Sequence, residues 1–372
     1  MTTISVILMV KDEKNSIKIT IDSVKNYIKN IIVLDTGSTD NTIEIIRQTC
    51  KKNNQQLYLK ESRFISFPES RNEAIEFAEQ VCNSSFFLLM DAGDELKTDL
   101  TKDNFIKHIS SIPSKYNYGL VRHNWFVRNS LEDHYDARFI RNTKKCRYDL
   151  RYLVHEKFKD VTDDITNMSN IFYLYQNRDL YGTSTEKRYI KDIEMLSKSV
   201  PNKRNLYYLG QTYLSMNDFE NGYKYNLLSY EKEKDDEEMG DHITKTTLIR
   251  IGFCAIRCDK DKEIIFKYLS KAIEFTEPPI DAFIFLFSYT IEHKITREIM
   301  HHVPKLFNLE KPKDISNVNH EYYDYKRWNL ISIVCLLSNE QLPLGKQACA
   351  KAIKFSNNPT DRNNMQIYNY HL

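Results

Sequence analysis

The stretch IIVLDTGSTDNT, residues 31–42, decides how this chain of 372 residues is read. Four apolar residues run into Asp35, a Thr-Gly-Ser turn follows, and "NTIEIIRQTCKK" begins at Asn41. A short apolar run closed by turn residues reads as a buried strand, and the segment behind it has helical spacing. Asn41 or Asp40 caps that helix, with Glu44 as the capping-box partner of Asn41. An acid therefore stands at the tip of a strand, where a strand-to-helix turn starts.

Outward from this point the pattern repeats. Upstream lie "ISVILMV" (4–10) and a segment with Ile17, Ile21, Val24 and Ile28 at helical intervals. Downstream come "QLYLK" (56–60), the amphipathic "ESRNEAIEFAEQV" (69–81) and "SFFLLM" (85–90). Strands of four to seven apolar residues alternating with helices build βαβ units and a parallel sheet covered on both faces. From about residue 117 the texture becomes antiparallel, in "YGLVRHNWFV", "ARFIRN", "CRYDLRYLVHEKF" and "NIFYLYQ". Beyond "YGTST" (181–185) the chain is amphipathic helix with short breaks. We place the domain boundary there, giving an α/β domain over 1–180 and an all-α domain over 181–372. In the helical half, Leu206, Leu209, Gly210, Tyr213, Gly222 and Ser229 follow a tetratricopeptide (TPR) order, and Leu248, Ile251, Gly252 and Ala255 repeat its start.

Aspartic proteases also present a carboxylate as Asp-Thr-Gly-Ser. They need two such acids about 3 Å apart on similar β loops, and the candidate second loop is "LLMDAGDEL" (88–96). Both acids here sit in βαβ context, and nine Gly with nine Pro is a poor supply for an all-β protein rich in tight turns. Strand-tip acids of an open α/β sheet instead line a ligand crevice outside the carboxyl ends of the strands.

Composition narrows the partners. Hydrophobic residues make up 41% and charged residues 28%, as in a folded globular chain, and the net charge of +2 gives no reason to expect nucleic acid. Seven cysteines without a CxxC pair lead us to expect reduced thiols and a cytoplasmic setting. No apolar run reaches the roughly 20 residues of a membrane span, so none is expected.

Taken together, "ILMVKDEKNSIKITIDSV", "IIVLDTGSTDNTIEII", "FPESRNEAIEFA" and "FFLLMDAGDEL" resemble the nucleotide-sugar half of family 2 inverting glycosyltransferases. The subgroup carrying tetratricopeptide-like helices is the nearest in pattern. The resemblance implies a GT-A (Rossmann-like) domain, a UDP-sugar donor, a glycan or protein acceptor, and Mn2+ or Mg2+. It puts Val10, Glu13, Asp35, Arg71 and Asp91 on the nucleotide sugar, Glu13 having a second reading as a helix first-turn acid. Asp91-Ala-Gly-Asp94 stands where the family keeps its Asp-x-Asp metal motif. The motif's second aspartate would fall at Gly93, so Asp94 becomes the expected direct metal ligand, supported by Asp91 and His155. The general base stays open between Glu156, in the His-Glu element, and Asp136. His123 and His134 read as ordinary strand or loop residues, and Trp125 as core.

The function expected is inverting, metal-dependent transfer of a hexose or N-acetylhexosamine to a hydroxyl, with a homodimer through the helical half as a further expectation. A rival reading, drawing on Gly93, is a catalytically weakened nucleotide-sugar-binding scaffold with a helical interaction module.

Overall fold

The computed structural model describes residues 2–127, 130–159, 161, 164–181, 185–232, 241–312, 319–356 and 358–372. Its first half opens as the apolar runs require. Strand β1 (Ile4–Val10), helix α1 (Ile17–Val24), β2 (Asn30–Asp35), α2 (Thr42–Lys52), β3 (Gln56–Glu61), α3 (Phe67–Val81) and β4 (Phe86–Met90) alternate. β1 lies between β2 and β4, parallel to both, and β3 pairs outside β2. Alternate residues of each strand face opposite ways. Val6, Leu8, Ile31 and Val33 therefore pack with Ile17, Ile21 and Ile46 of α1 and α2. Ile7, Ile32 and Leu34 pack with Ala74, Ile75 and Ala78 of α3 on the other face.

The sheet then takes in antiparallel strands. After β5 (Asp94–Lys97) and α4 (Lys102–Ser110) come β6 (Tyr118–Val127), β7 (Ser130–Arg141), β8 (Ile165–Asn167) and β9 (Tyr173–Asn177). β6 and β7 form an antiparallel hairpin whose second strand adds antiparallel to β4. Among the described residues the order is β3-β2-β1-β4-β7-β6-β9-β5, with β8 on β6. Asp94 opens β5, because it and its neighbours pair with β9; α4 starts later, capped by Thr101. Of the two candidate caps of α2 it is Asp40 that acts, accepting from the Thr42 amide at 2.9 Å; the expected Asn41–Glu44 box does not form, and Glu44 accepts from Gln48.

The chain divides into two compact units, Met1–Arg188 and Tyr189–Leu372. Helix α5 (Arg178–Tyr181) belongs to the first unit, and α6 (Thr185–Lys198) runs through the division. The second unit is helical: α7 (Lys203–Ser215), α8 (Phe219–Glu231), α9 (Asp241–Arg257), α10 (Lys262–Ile273), α11 (Ile280–Glu292), α12 (Val303–Phe307), α13 (Arg327–Ser338), α14 (Leu342–Phe355) and α15 (Pro359–His371). Its core centres on Leu248, Phe283, Phe287, Ile331 and Val334. Among the described residues no helix is long and apolar enough to cross a membrane.

Candidate active site at the strand tips

Parallel pairing sets the tips of β1, β2 and β4 on one rim. Val10 is in register with Asp35, and Leu8 with Met90, so Asp35 and Asp91 flank the end of β1. Neighbouring strands lie about 4.8 Å apart, which puts the two acids on adjoining sides of a single edge.

Asp35 is 2% exposed and organises its own turn. Its Oδ2 accepts from the amides of Gly37 and Ser38 at 3.0 and 2.9 Å, and the Ser38 hydroxyl donates to Oδ1. The Val10 carbonyl accepts from the amide and hydroxyl of Thr36. Asp12 ties this turn to the loop after β1, accepting from the Thr39 amide at 2.7 Å. Glu13, next in that loop, accepts from the Ser16 hydroxyl. Burial pushes its carboxyl up; the Ser16 bond pulls part of the way back, and the charges of Asp91 and Asp40 push it up again.

Asp91 is the hub. Its two oxygens accept from Arg71 Nη2 at 3.2 Å and Arg138 Nη1 at 2.8 Å. Burial works against the charge of this carboxyl, but Arg138 and Arg71 outweigh it and hold the group well below the usual carboxylate range. Arg71 reaches from α3 and also donates to Glu156 at 3.3 Å. Arg138 of β7 lies 3.7 Å from Asp136, which accepts from His134 Nε2 at 3.0 Å. Burial opposes the Asp136 charge as well, but the His134 bond and Arg138 keep its carboxyl low.

The turn behind Asp91 explains Gly93. The Asp94 amide donates to the Asp91 carbonyl at 3.1 Å and the third residue, Gly93, has φ +95°, the left-handed value a type II turn demands there. A β-carbon at Gly93 would lie 3.2 Å from Gln176 Nε2. Asp94 is fully buried: its Oδ2 accepts from the Asp91 amide at 2.8 Å and its Oδ1 faces His123 Nε2 at 3.0 Å.

Of the residues singled out from sequence, Arg71, Asp91 and Glu156 join one ion-pair chain, and Asp136 adjoins it through Arg138. Val10, Glu13 and Asp35 stand on the same rim. Asp91, Asp94 and His155 are not brought together as a cation-binding set. Two guanidinium groups occupy Asp91, the Asp94 oxygens are spent inside the fold, and His155 is exposed with φ +53°. Mn2+ or Mg2+ on those three residues therefore does not fit. The group of three whose ligand atoms lie within 4.8 Å of one another, among the described residues, is His123, His134 and Asp136.

Sequence reading missed Arg138, Asn72 and the two histidines. Arg138 lay in view in "RFIR", three residues before Arg141, which turns away to the carbonyls of Tyr116, Ile112 and Pro113. Asn72 follows Arg71 and clamps the backbone of Tyr148, donating to its carbonyl at 2.9 Å and accepting from its amide at 2.7 Å. Trp125, read as core, is half-buried between His134 and the guanidinium of Arg178, which stacks 3.4 Å from its ring centre.

Residues 5–168 match the description "Glycosyl transferase family 2". No curated protein matches the sequence. Among solved structures, S. aureus TarS 1-349 in complex with UDP is 13% identical, with 100% of this chain and 92% of that one covered and a TM-score of 0.34. The same protein in complex with UDP-GlcNAc gives 13% identity, the same coverage and a TM-score of 0.36. A mycobacterial protein is 20% identical over 33% of this chain and 41% of its own, with a TM-score of 0.24.

Proposed function

We propose that the N-terminal unit, whose residues 5–168 match glycosyl transferase family 2, moves a hexose or N-acetylhexosamine from a UDP-sugar to a hydroxyl of a glycan or protein acceptor, with inversion at the anomeric carbon. The observation that carries this reading is the pairing of Arg71 and Arg138 on Asp91 at the strand rim. Breaking the bond between the anomeric carbon and the diphosphate sends an electron pair onto the phosphate oxygen, and preorganised cations stabilise that charge. Guanidinium forks match phosphate oxygens in pairs. Asp91 and Glu156 keep Arg71 aimed and neutralised until a diphosphate competes for it.

The new bond forms between the acceptor oxygen and the anomeric carbon on the opposite face, and the acceptor proton goes to a carboxylate. Glu156 is the better base. Asp136 is committed to His134 and Arg138, and a carboxyl held low takes protons poorly. Glu156 contacts Arg71 and so sits one side chain away from Asp91. Asp35, with the Val10 and Glu13 loop, forms the nucleoside end. The TPR-like helical unit presents the acceptor, a partner or a second copy, as stacked helical repeats do. The seven free cysteines support a reducing, cytoplasmic setting.

Calorimetric titration with UDP, paired with turnover on a panel of nucleotide sugars, tests the assignment. Arg71→Ala is expected to weaken UDP binding at least tenfold. Glu156→Gln is expected to keep UDP binding and lose at least a hundredfold in turnover. A wild-type chain that binds UDP but turns over no donor would favour the scaffold reading, and one that binds no nucleotide would end both.

A further inference from the structure

The transfer chemistry leaves the β6–β7 hairpin unexplained. His123 and His134 are direct partners across its antiparallel ladder, and their rings stack 5.1 Å apart at 26°. Asp136 lies two residues beyond His134, on the same face of β7. His123 is 1% exposed, its Nε2 is held by Asp94, and its Nδ1 is buried without a hydrogen-bond partner among the described residues. The Nδ1 of His134 is buried and unpartnered too. A buried ring nitrogen without a partner is destabilising unless something satisfies it. His134 turns its Nε2, not its Nδ1, toward Asp136 at 3.0 Å, and one ligand atom from each of His123, His134 and Asp136 lies within 4.8 Å of the others, close enough to share one cation.

The geometry points to a transition-metal site formed by His123, His134 and Asp136, suited to Zn2+, Co2+ or Ni2+. Imidazole nitrogen selects these borderline ions, whereas Mg2+ prefers a shell of oxygen. Asp94 is the outer partner: a carboxylate on the far nitrogen of a ligating histidine fixes its tautomer and orientation. This gives the buried Asp94 a role one shell away from the ion. Three protein ligands leave at least one position for water or another donor. Arg138, near Asp136, is balanced by Asp91. The site stands whether or not the domain transfers sugar.

Titration of the chelator-treated full chain with Co2+ tests it through visible d–d absorption. One equivalent is expected to bind and to be displaced by Zn2+. His134→Gln and Asp136→Asn, both at partly exposed side chains, should each weaken Co2+ by at least a hundredfold with the melting temperature little changed. Asp94→Asn should weaken it 10- to 100-fold, as loss of an outer partner does. In a Trp328→Phe background, Co2+ should quench Trp125, whose ring centre is 3.6 Å from that of His134. Absence of a cobalt band, or wild-type affinity in both His134→Gln and Asp136→Asn, would overturn the site. UDP calorimetry on the same metal-free sample reports on the transferase reading separately.

Discussion

Glu13 shows how the rim's charges bear on stability. An acid whose carboxyl is raised in the folded chain destabilises it at neutral pH, and that penalty vanishes once the group is protonated in folded and unfolded chains alike. Burial is the largest cause here, followed by the opposing Ser16 bond and the charge of Asp91. Glu13→Gln is therefore expected to raise the melting temperature at pH 7–8 by about 2–4 °C, the shift that ~1 kcal/mol gives a domain of this size. The gain should close as pH falls through the raised value toward the ordinary carboxylate range near about 4. Scanning calorimetry across pH checks it; an unchanged gain at pH 4 would trace the effect to packing rather than charge. Backbone geometry, not charge, accounts for Gly93. The residue read from sequence as a lost aspartate is the third position of a tight turn with φ +95°, where an L side chain is strained.

At the scale of elements, α3 does more than cover the sheet. Ser66 caps its start, its hydroxyl accepting from the Glu69 amide and donating to the Glu69 carboxylate. One turn on, Arg71 faces Asp91 while Asn72 holds Tyr148, and farther along Glu79 holds Arg147 at 2.8 Å. α3 thus anchors the segment that carries His155 and Glu156. Asn72→Ala removes both bonds to the Tyr148 backbone and leaves that amide and carbonyl to find other partners, at a cost of about 1–3 kcal/mol. Turnover should fall tenfold or more while UDP affinity changes little, because Arg71 and Asp91 stay in place. Parallel loss of UDP affinity would mean that Asn72 steadies α3 rather than the loop. These ties also mark what was legible in advance. Apolar runs and helical spacing fixed β1 to β4 and α1 to α3, and the strand-tip acids with them. The antiparallel half resisted, because which residue of β7 faces β4, and that His123 meets His134, follows from register. Register depends on pairing between distant segments that no local pattern encodes. Asp94 meets His123 across 29 positions, so its burial was invisible from "DAGDEL".

For the whole molecule the question is whether the two units melt as one. Each has its own core: the sheet's two faces in the first, and the cluster around Phe283 and Ile331 in the second. Gly252 is a sharp probe of the second. A β-carbon there would lie 2.5 Å from Cγ of Leu269, with Leu269 fully buried, so α9 and α10 approach closely only because that carbon is missing. Gly252→Val overpacks this contact and should cost about 1–3 kcal/mol. If the units fold separately, calorimetry will show the helical transition moving down by several degrees while the other stays. Saturating UDP should then raise only the unmoved transition, by about 2.7 kcal/mol at a hundredfold excess over Kd. A single transition that Gly252→Val lowers and UDP raises as a whole would show instead that the two units unfold cooperatively.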